Sequence, residues 1–235
     1  MRQGATDAKG QDMSNEGSIP ATGGMTEARP LRIGDVAPDF QARTTKGEMR
    51  LSDFRGRWLL FFSHPADFTP VCTSEFMALA RAQDRFDALD CALLGLSVDG
   101  LYAHLAWLET IYERFGVEIP FPLVEDPSMA VCRAYGMLDQ TAQNSATVRA
   151  CYVIDPDGVI RAVMWYPMSV GRSVEELLRL VEALRRSAGN TVMTPEGWVP
   201  GGDVVRPVPT TQAGVRKATG QCWFYNTVPD TGRTR

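Results

Sequence analysis

Five cysteines stand at positions 72, 91, 132, 151 and 222 of the 235-residue chain, and the surroundings of each decide what its sulfur can do. No Cys-x-x-Cys pair occurs, a spacing that argues against a zinc site and against a thioredoxin-type dithiol. An odd count also argues against a secreted disulfide framework, so at least one reactive thiol in a reducing compartment is expected. Cys72 has the setting for it. The stretch Ser63-His64-Pro65-Ala66-Asp67-Phe68-Thr69-Pro70-Val71-Cys72 runs from a strand end into the first turn of a helix. There, unpaired amides and the positive end of the helix dipole favour thiolate over thiol. Thiols so placed titrate at roughly 3.5 to 7.5 instead of ~8.5, so the nucleophilic form can predominate at neutral pH. Pro65 and Pro70 stiffen the approach. Thr69, three residues ahead, can accept from and donate to a small bound oxygen species. Cys91 and Cys151 lie in apolar runs and Cys132 in a short helical stretch, where a thiol behaves as a small hydrophobe. Arg149 directly precedes an apolar strand; taken alone it reads as a surface charge. His64 is open to two readings, a cap on the strand end through hydrogen bonds or a member of the site.

The elements that must hold these residues alternate from about residue 29, short apolar runs with helical stretches, the signature of an α/β sheet with helices on its faces. Strands are expected at 58–63, 91–97, 150–155 and 159–165, mostly too apolar to meet water on both sides. Pro156-Asp157-Gly158 supplies turn chemistry between the last two, which should form an antiparallel hairpin and make the sheet mixed. Helices are expected at 73–86 and 101–115. Another should be opened by Asp126-Pro127 and stopped at Gly136, and a fourth, at 174–186, follows the capping box Ser173-Val-Glu-Glu176. In that last helix Leu177, Leu180, Val181 and Leu184 form one apolar stripe.

Composition bounds the rest. Hydrophobic residues make up 44% of the chain and the formal net charge is −4, enough for one substantial core and without the clustered Lys and Arg of a nucleic-acid surface. No apolar run reaches membrane-spanning length. Residues 1–28 are rich in Gly, Ser, Thr, Asp and Asn without apolar period or signal segment, and read as a disordered tail, with Met13 and Met25 as alternative starts. The tail carries acids, unlike a mitochondrial presequence, which leaves the cytoplasm as the default address. Residues 29–190 form the folded domain. Residues 191–235 turn to Pro, Gly and Thr around Trp198, Trp223, Phe224 and Tyr225, an arm whose aromatic surface is expected to lie against a partner subunit.

The pattern Pro65-x-x-x-Thr69-x-x-Cys72, with Gly34-Asp-Val-Ala-Pro-Asp-Phe40, Leu51-Ser-Asp-Phe54 and Arg149 ahead of Val153-Ile-Asp155, resembles the peroxiredoxins over roughly residues 31–225. His64 within the active-site stretch and Pro200-Gly-Gly-Asp-Val204 in the arm resemble the one-cysteine subfamily with a long C-terminal arm. The resemblance implies a thioredoxin-like fold with a C-terminal arm or small domain. It also implies reduction of hydrogen peroxide or organic hydroperoxides, Cys72 becoming a sulfenic acid. Thr69, Arg149 and Pro65 match catalytic positions, and Glu75 and Arg172 match positions that hold Arg149. No cofactor or metal is implied.

Cys222 matches the arm cysteines of relatives only loosely. It is a possible resolving thiol, against which an external thiol or protein reductant is expected. The assembly expected is a homodimer, by resemblance a ring of dimers. A ring-forming chaperone or redox sensor on the same fold is the rival function. Where some relatives carry a Gly-x-Ser-x-Gly lipase motif, this chain reads Phe54-Arg-Gly-Arg-Trp58, so phospholipase activity is not expected.

Overall fold

The computed structural model describes residues 30–138, 145–218 and 222–232; the tail expected at 1–28, with Met13 and Met25, lies outside them. Alternation along two central strands sets the layers. In β3 (Trp58–Ser63), Trp58, Leu60 and Phe62 join one apolar cluster while Leu59 and Phe61 join another, the period-2 disposition of a strand buried on both faces. β4 (Cys91–Ser97) pairs with it in parallel and divides likewise, Cys91 and Leu93 to the first face, Ala92, Leu94 and Leu96 to the second.

Around this pair lie β1 (Gln41–Thr44), β2 (Gly47–Arg50), β5 (Leu123–Glu125), β6 (Arg149–Ile154) and β7 (Ile160–Tyr166), in the order β2-β1-β5-β4-β3-β6-β7. β3, β4 and β5 are parallel and the remaining pairs antiparallel, so the sheet is mixed. The β6–β7 turn is fixed by Asp155 Oδ1, which accepts from the amides of Asp157 and Val159, and by Gly158 at a φ of 73°.

On the first face pack α1 (Pro70–Arg81), α3 (Leu101–Phe115) and α5 (Val174–Ser187), contributing Phe76, Trp107 and Val181 to one cluster with Cys72 and Cys151. Gly95 keeps that face open for rings: a Cβ there would meet Leu123 at 3.0 Å, Phe62 at 3.3 Å and Phe76 at 3.4 Å. α5 starts as its sequence requires, the Ser173 side chain accepting from the Glu176 amide. Leu177 and Val181 are buried and Leu180 and Leu184 pack beside them, each fully buried side chain stabilising by about 1.5–3 kcal/mol. The second face is covered by α4 (Ala130–Ala134) and by the segment around Ala37 and Phe40.

Several expectations are corrected. The helix read at 73–86 starts at Pro70, the proline occupying the first helical position, and breaks at Ala82 into α1 and α2 (Gln83–Ala88). The break turns Phe86 into the core. Asp126 does not open α4 directly. Its carboxylate reaches forward to the amides of Ala130 and Cys132, and Met129, at a φ of 59°, is the residue before the helix. The hairpin β1–β2 and the short β5 carried no strong apolar run and were not expected. In the arm, β8 (Val204–Val205) pairs with β9 (Thr227–Val228), and α6 (Gln212–Lys217) lies between them. Trp198 is buried in its own chain against Ala183 and Val204, its indole donating to the Gly202 carbonyl; Trp223, Phe224 and Tyr225 stay exposed.

Candidate active site

The loop from β3 to α1 carries the chemistry. Thr69 is the extended N-cap of α1 and Pro70 its first residue, so Cys72 is the third. The first intrahelical bond in this turn runs from the Thr73 amide to the Thr69 carbonyl. The Cys72 amide therefore lies ahead of the ladder, among donors that face an anion. The Cys72 side chain is buried. Thr69 Oγ1 donates to the Ala66 carbonyl at 2.8 Å, which commits its hydrogen and leaves its lone pairs to accept from a bound O–H. Pro65 is buried in the same loop.

Arg149, the first residue of β6, reaches the sulfur from the sheet. Its Nη1 donates to Cys72 Sγ at 3.3 Å and to Glu75 Oε2 at 2.9 Å. Nε and Nη2 fork onto the Met168 carbonyl at 3.0 and 2.7 Å. Glu75, one turn after Cys72 on α1, also takes Arg172, which donates to both carboxylate oxygens at 2.9 and 2.7 Å. Arg172 further donates to the carbonyls of Ser63 and Ala150 and to Cys151 Sγ. One buried carboxylate thus joins two buried guanidiniums, and the geometry of the first is fixed through the second. Burial pushes the Glu75 carboxyl up, but the hydrogen bonds and charge of Arg172, with Arg149, outweigh it and hold it below the usual range. Hydrogen bonds bring together Cys72, Glu75, Arg149 and Arg172, with Thr69 three residues before Cys72 at the cap of the same helix.

The other core thiols have different surroundings. Burial pushes Cys91 up to about 12, and raises Cys132, with Asp126 acting in the same direction. Cys151 is also raised by burial, with Arg172 opposing. Each stays a neutral thiol at physiological pH. Cys222 is exposed in the arm, in a surface cleft lined by Arg206, Pro207 and Trp223. Nothing in the described residues brings it to Cys72, which is enclosed in the core.

His64 answers its open question as part of a network. Its Nε2 meets Asp67 Oδ1 at 2.8 Å, and His104 Nδ1 meets Asp67 Oδ2 at 2.7 Å. The His64 ring stacks on Trp107, centroids 5.2 Å apart. Burial pushes His64 down, against Asp67. Asp67 itself lies below the usual range, the hydrogen bonds from His104 and His64 overcoming its burial. The amide of Asp67 donates to Asp99 Oδ2, which also accepts from Ser97. Ligand atoms of His64, Asp67 and Asp99 lie within 4.8 Å of one another, a closeness these hydrogen bonds account for. Asp67, His104 and Trp107 were not singled out in the sequence. The available signal was that the chain has two histidines and that His104 shares a face of α3 with Trp107.

The chain matches the AhpC/TSA family over residues 33–163. It is 43% identical over 182 residues to a peroxiredoxin of Thermoplasma volcanium, covering 77% of this chain and 89% of the relative. To a peroxiredoxin of Aquifex aeolicus it is 47% identical over 170 residues, covering 72% and 77%. Among solved structures it resembles a cysteine-to-serine mutant of peroxiredoxin 6 of Arenicola marina, with a TM-score of 0.77, 27% identity, and 86% and 100% of the two chains covered. It also resembles a yeast mitochondrial 1-Cys peroxiredoxin, with a TM-score of 0.76, 35% identity, and 85% and 99% covered.

Proposed function

This chain belongs to the AhpC/TSA family of peroxiredoxins and is a thiol-dependent peroxidase, and from that membership we propose that Cys72 is the thiol that attacks the peroxide. The observation that carries this reading is the Arg149 guanidinium 3.3 Å from Cys72 Sγ at a helix start, a cation and unpaired amides converging on one buried sulfur. The Cys72 thiolate attacks the nearer peroxide oxygen and forms an S–O bond. The O–O bond breaks, and its electrons leave with the far oxygen as hydroxide or alkoxide, which takes up a proton. Thr69 accepts from the peroxide O–H, the Cys72 amide and Arg149 donate to the oxygens as charge develops, and Pro65 shields the sulfur. Glu75 and Arg172 hold Arg149, and His64 belongs to the supporting loop.

Hydrogen peroxide and organic hydroperoxides are the substrates in this reading. The sulfenic acid of Cys72 condenses with an external thiol, releasing water and forming a mixed disulfide that a second thiol reduces. Thiol resolution in the yeast 1-Cys relative runs through glutathione and thioredoxin systems. The burial of Cys72 and the exposed position of Cys222 support a one-cysteine cycle. The protein works in the cytoplasm as a homodimer or ring of dimers, residues 29–190 forming the catalytic domain and 191–235 an arm against the partner subunit. Among the described residues no helix is long and apolar enough to cross a membrane.

The test is turnover of hydrogen peroxide with a thiol reductant. Cys72→Ser abolishes it, and Cys91→Ser, Cys132→Ser and Cys151→Ser keep most of it. Substantial turnover by Cys72→Ser overturns the assignment.

A further inference from the structure

The loop that presents Thr69 and Cys72 contains a strained residue. Phe68 has a φ of 57°, a left-handed conformation that strains a residue with a Cβ and persists only where the surroundings impose it. Its side chain is exposed, 57%, so its own packing does not impose the turn. The residue before it is held at three points. The Asp67 amide donates to Asp99 Oδ2 at 2.9 Å, Oδ1 meets His64 Nε2, and Oδ2 meets His104 Nδ1. Of these partners, only His104 reaches in from a helix on another part of the chain.

The bonds of His104 fix its hydrogens. Nε2 faces the Val124 carbonyl of β5 at 3.2 Å and Nδ1 faces the Asp67 carboxylate at 2.7 Å. Both partners carry acceptor oxygens, so each ring nitrogen faces a group that can take a hydrogen from it. His104 is a buried link strung between β5 and the active-site loop, its Nδ1 against the Asp67 carboxylate. The neighbouring indole extends the link: Trp107 Nε1 donates to Thr73 Oγ1, which donates to the Thr69 carbonyl.

We propose that His104 is a positioning residue of the peroxidase reaction: through Asp67 it holds the strained turn at Phe68 that sets Thr69 against Cys72. It touches neither sulfur nor substrate. Its loss leaves Cys72 at the start of α1 beside Arg149, while the Thr69 acceptor drifts. The proposal rests on Cys72 being the attacking thiol, and Cys72→Ser, run alongside, separates failure of that premise from failure of this one.

The experiment compares two reactions of Cys72 in the full-length protein, oxidation by hydrogen peroxide and alkylation by iodoacetamide, with a thermal melt for each variant. Alkylation needs the thiolate but not the Thr69 acceptor. In His104→Phe, peroxide oxidation slows about tenfold to a hundredfold, the range for small misplacements of reacting groups, while alkylation stays within about threefold. His104→Gln, which restores a donor to Asp67, recovers most of the peroxide rate. If His104→Phe fails to fold, the Gln variant and Asp67→Asn carry the comparison, and Asp67→Asn shows the same selective loss. Equal losses in both reactions, or peroxide rates like the wild type in every variant, overturn the proposal.

Discussion

Arg149 Nη1 lies 3.3 Å from Cys72 Sγ and 2.9 Å from Glu75 Oε2, so one guanidinium nitrogen is shared between the sulfur and the carboxylate that orients it. Nε and one hydrogen of Nη2 go to the Met168 carbonyl, which holds the plane of the group while one of its five hydrogens stays outside these four bonds. A lysine could supply the charge but not the fork.

Arg149→Leu therefore slows sulfenic acid formation by about a hundredfold or more, the loss typical of removing one electrostatic stabiliser. Arg149→Lys recovers only part of it. Stopped-flow oxidation with hydrogen peroxide checks both, and an unchanged rate in the Leu variant removes Arg149 from the mechanism.

Glu75→Gln leaves two buried guanidiniums, at Arg149 and Arg172, facing a neutral amide. Breaking a buried pair in this way costs about 3–5 kcal/mol, and urea unfolding reads it as a lower midpoint. Cys151→Ser, by contrast, changes one weak acceptor of Arg172 and keeps the midpoint close to wild type. A midpoint insensitive to Glu75→Gln contradicts the shared-carboxylate account.

Much of this arrangement was legible in the sequence because it is local. The placing of Cys72 in a helix's first turn, the turn at Gly158 and the stripe of α5 depend on neighbours a few residues apart, and the strands that carry Arg149 and Ser63 announce themselves as apolar runs, although the helix itself starts at Pro70 and not at 73. The grouping of Arg149, Glu75 and Arg172 came from family resemblance, since no spacing links three residues on three elements. The link from Asp67 to His104 spans 37 positions and is made by packing α3 on the sheet, which a one-dimensional pattern does not encode. Trp198 was misread for the same reason: the residues that cover it, Ala183 and Val204, carry no signal of that contact on their own.

Acid weakens the fold in two stages. Burial lowers His64 below its ordinary value of 6.5, so the unfolded chain binds the proton first. That contribution is complete above 6.5 and is lost as pH falls through the lower folded value. Glu75 is held below 4.5, so its contribution is present above 4.5 and lost beneath it. The urea midpoint accordingly declines from about pH 6.5 downward and more steeply below about 4.5, and His64→Phe flattens the first stage. A midpoint that rises on acidification refutes this.

Trp223, Phe224 and Tyr225 are 43, 62 and 56% exposed, an apolar patch of the kind that marks an interface. Replacing all three with Ser shifts the protein toward smaller species in light scattering and leaves the catalytic domain folded, because Trp198 and not this triplet covers α5. A full-length protein that already scatters as a monomer contradicts the arm's assigned role.

The most direct test of the central claim is to treat the reduced protein with one equivalent of hydrogen peroxide, trap with dimedone and map the adduct by mass spectrometry. A dimedone adduct is expected on Cys72 and none on Cys91, Cys132, Cys151 or Cys222. An unmodified Cys72 beside an adduct on any of the other four contradicts it.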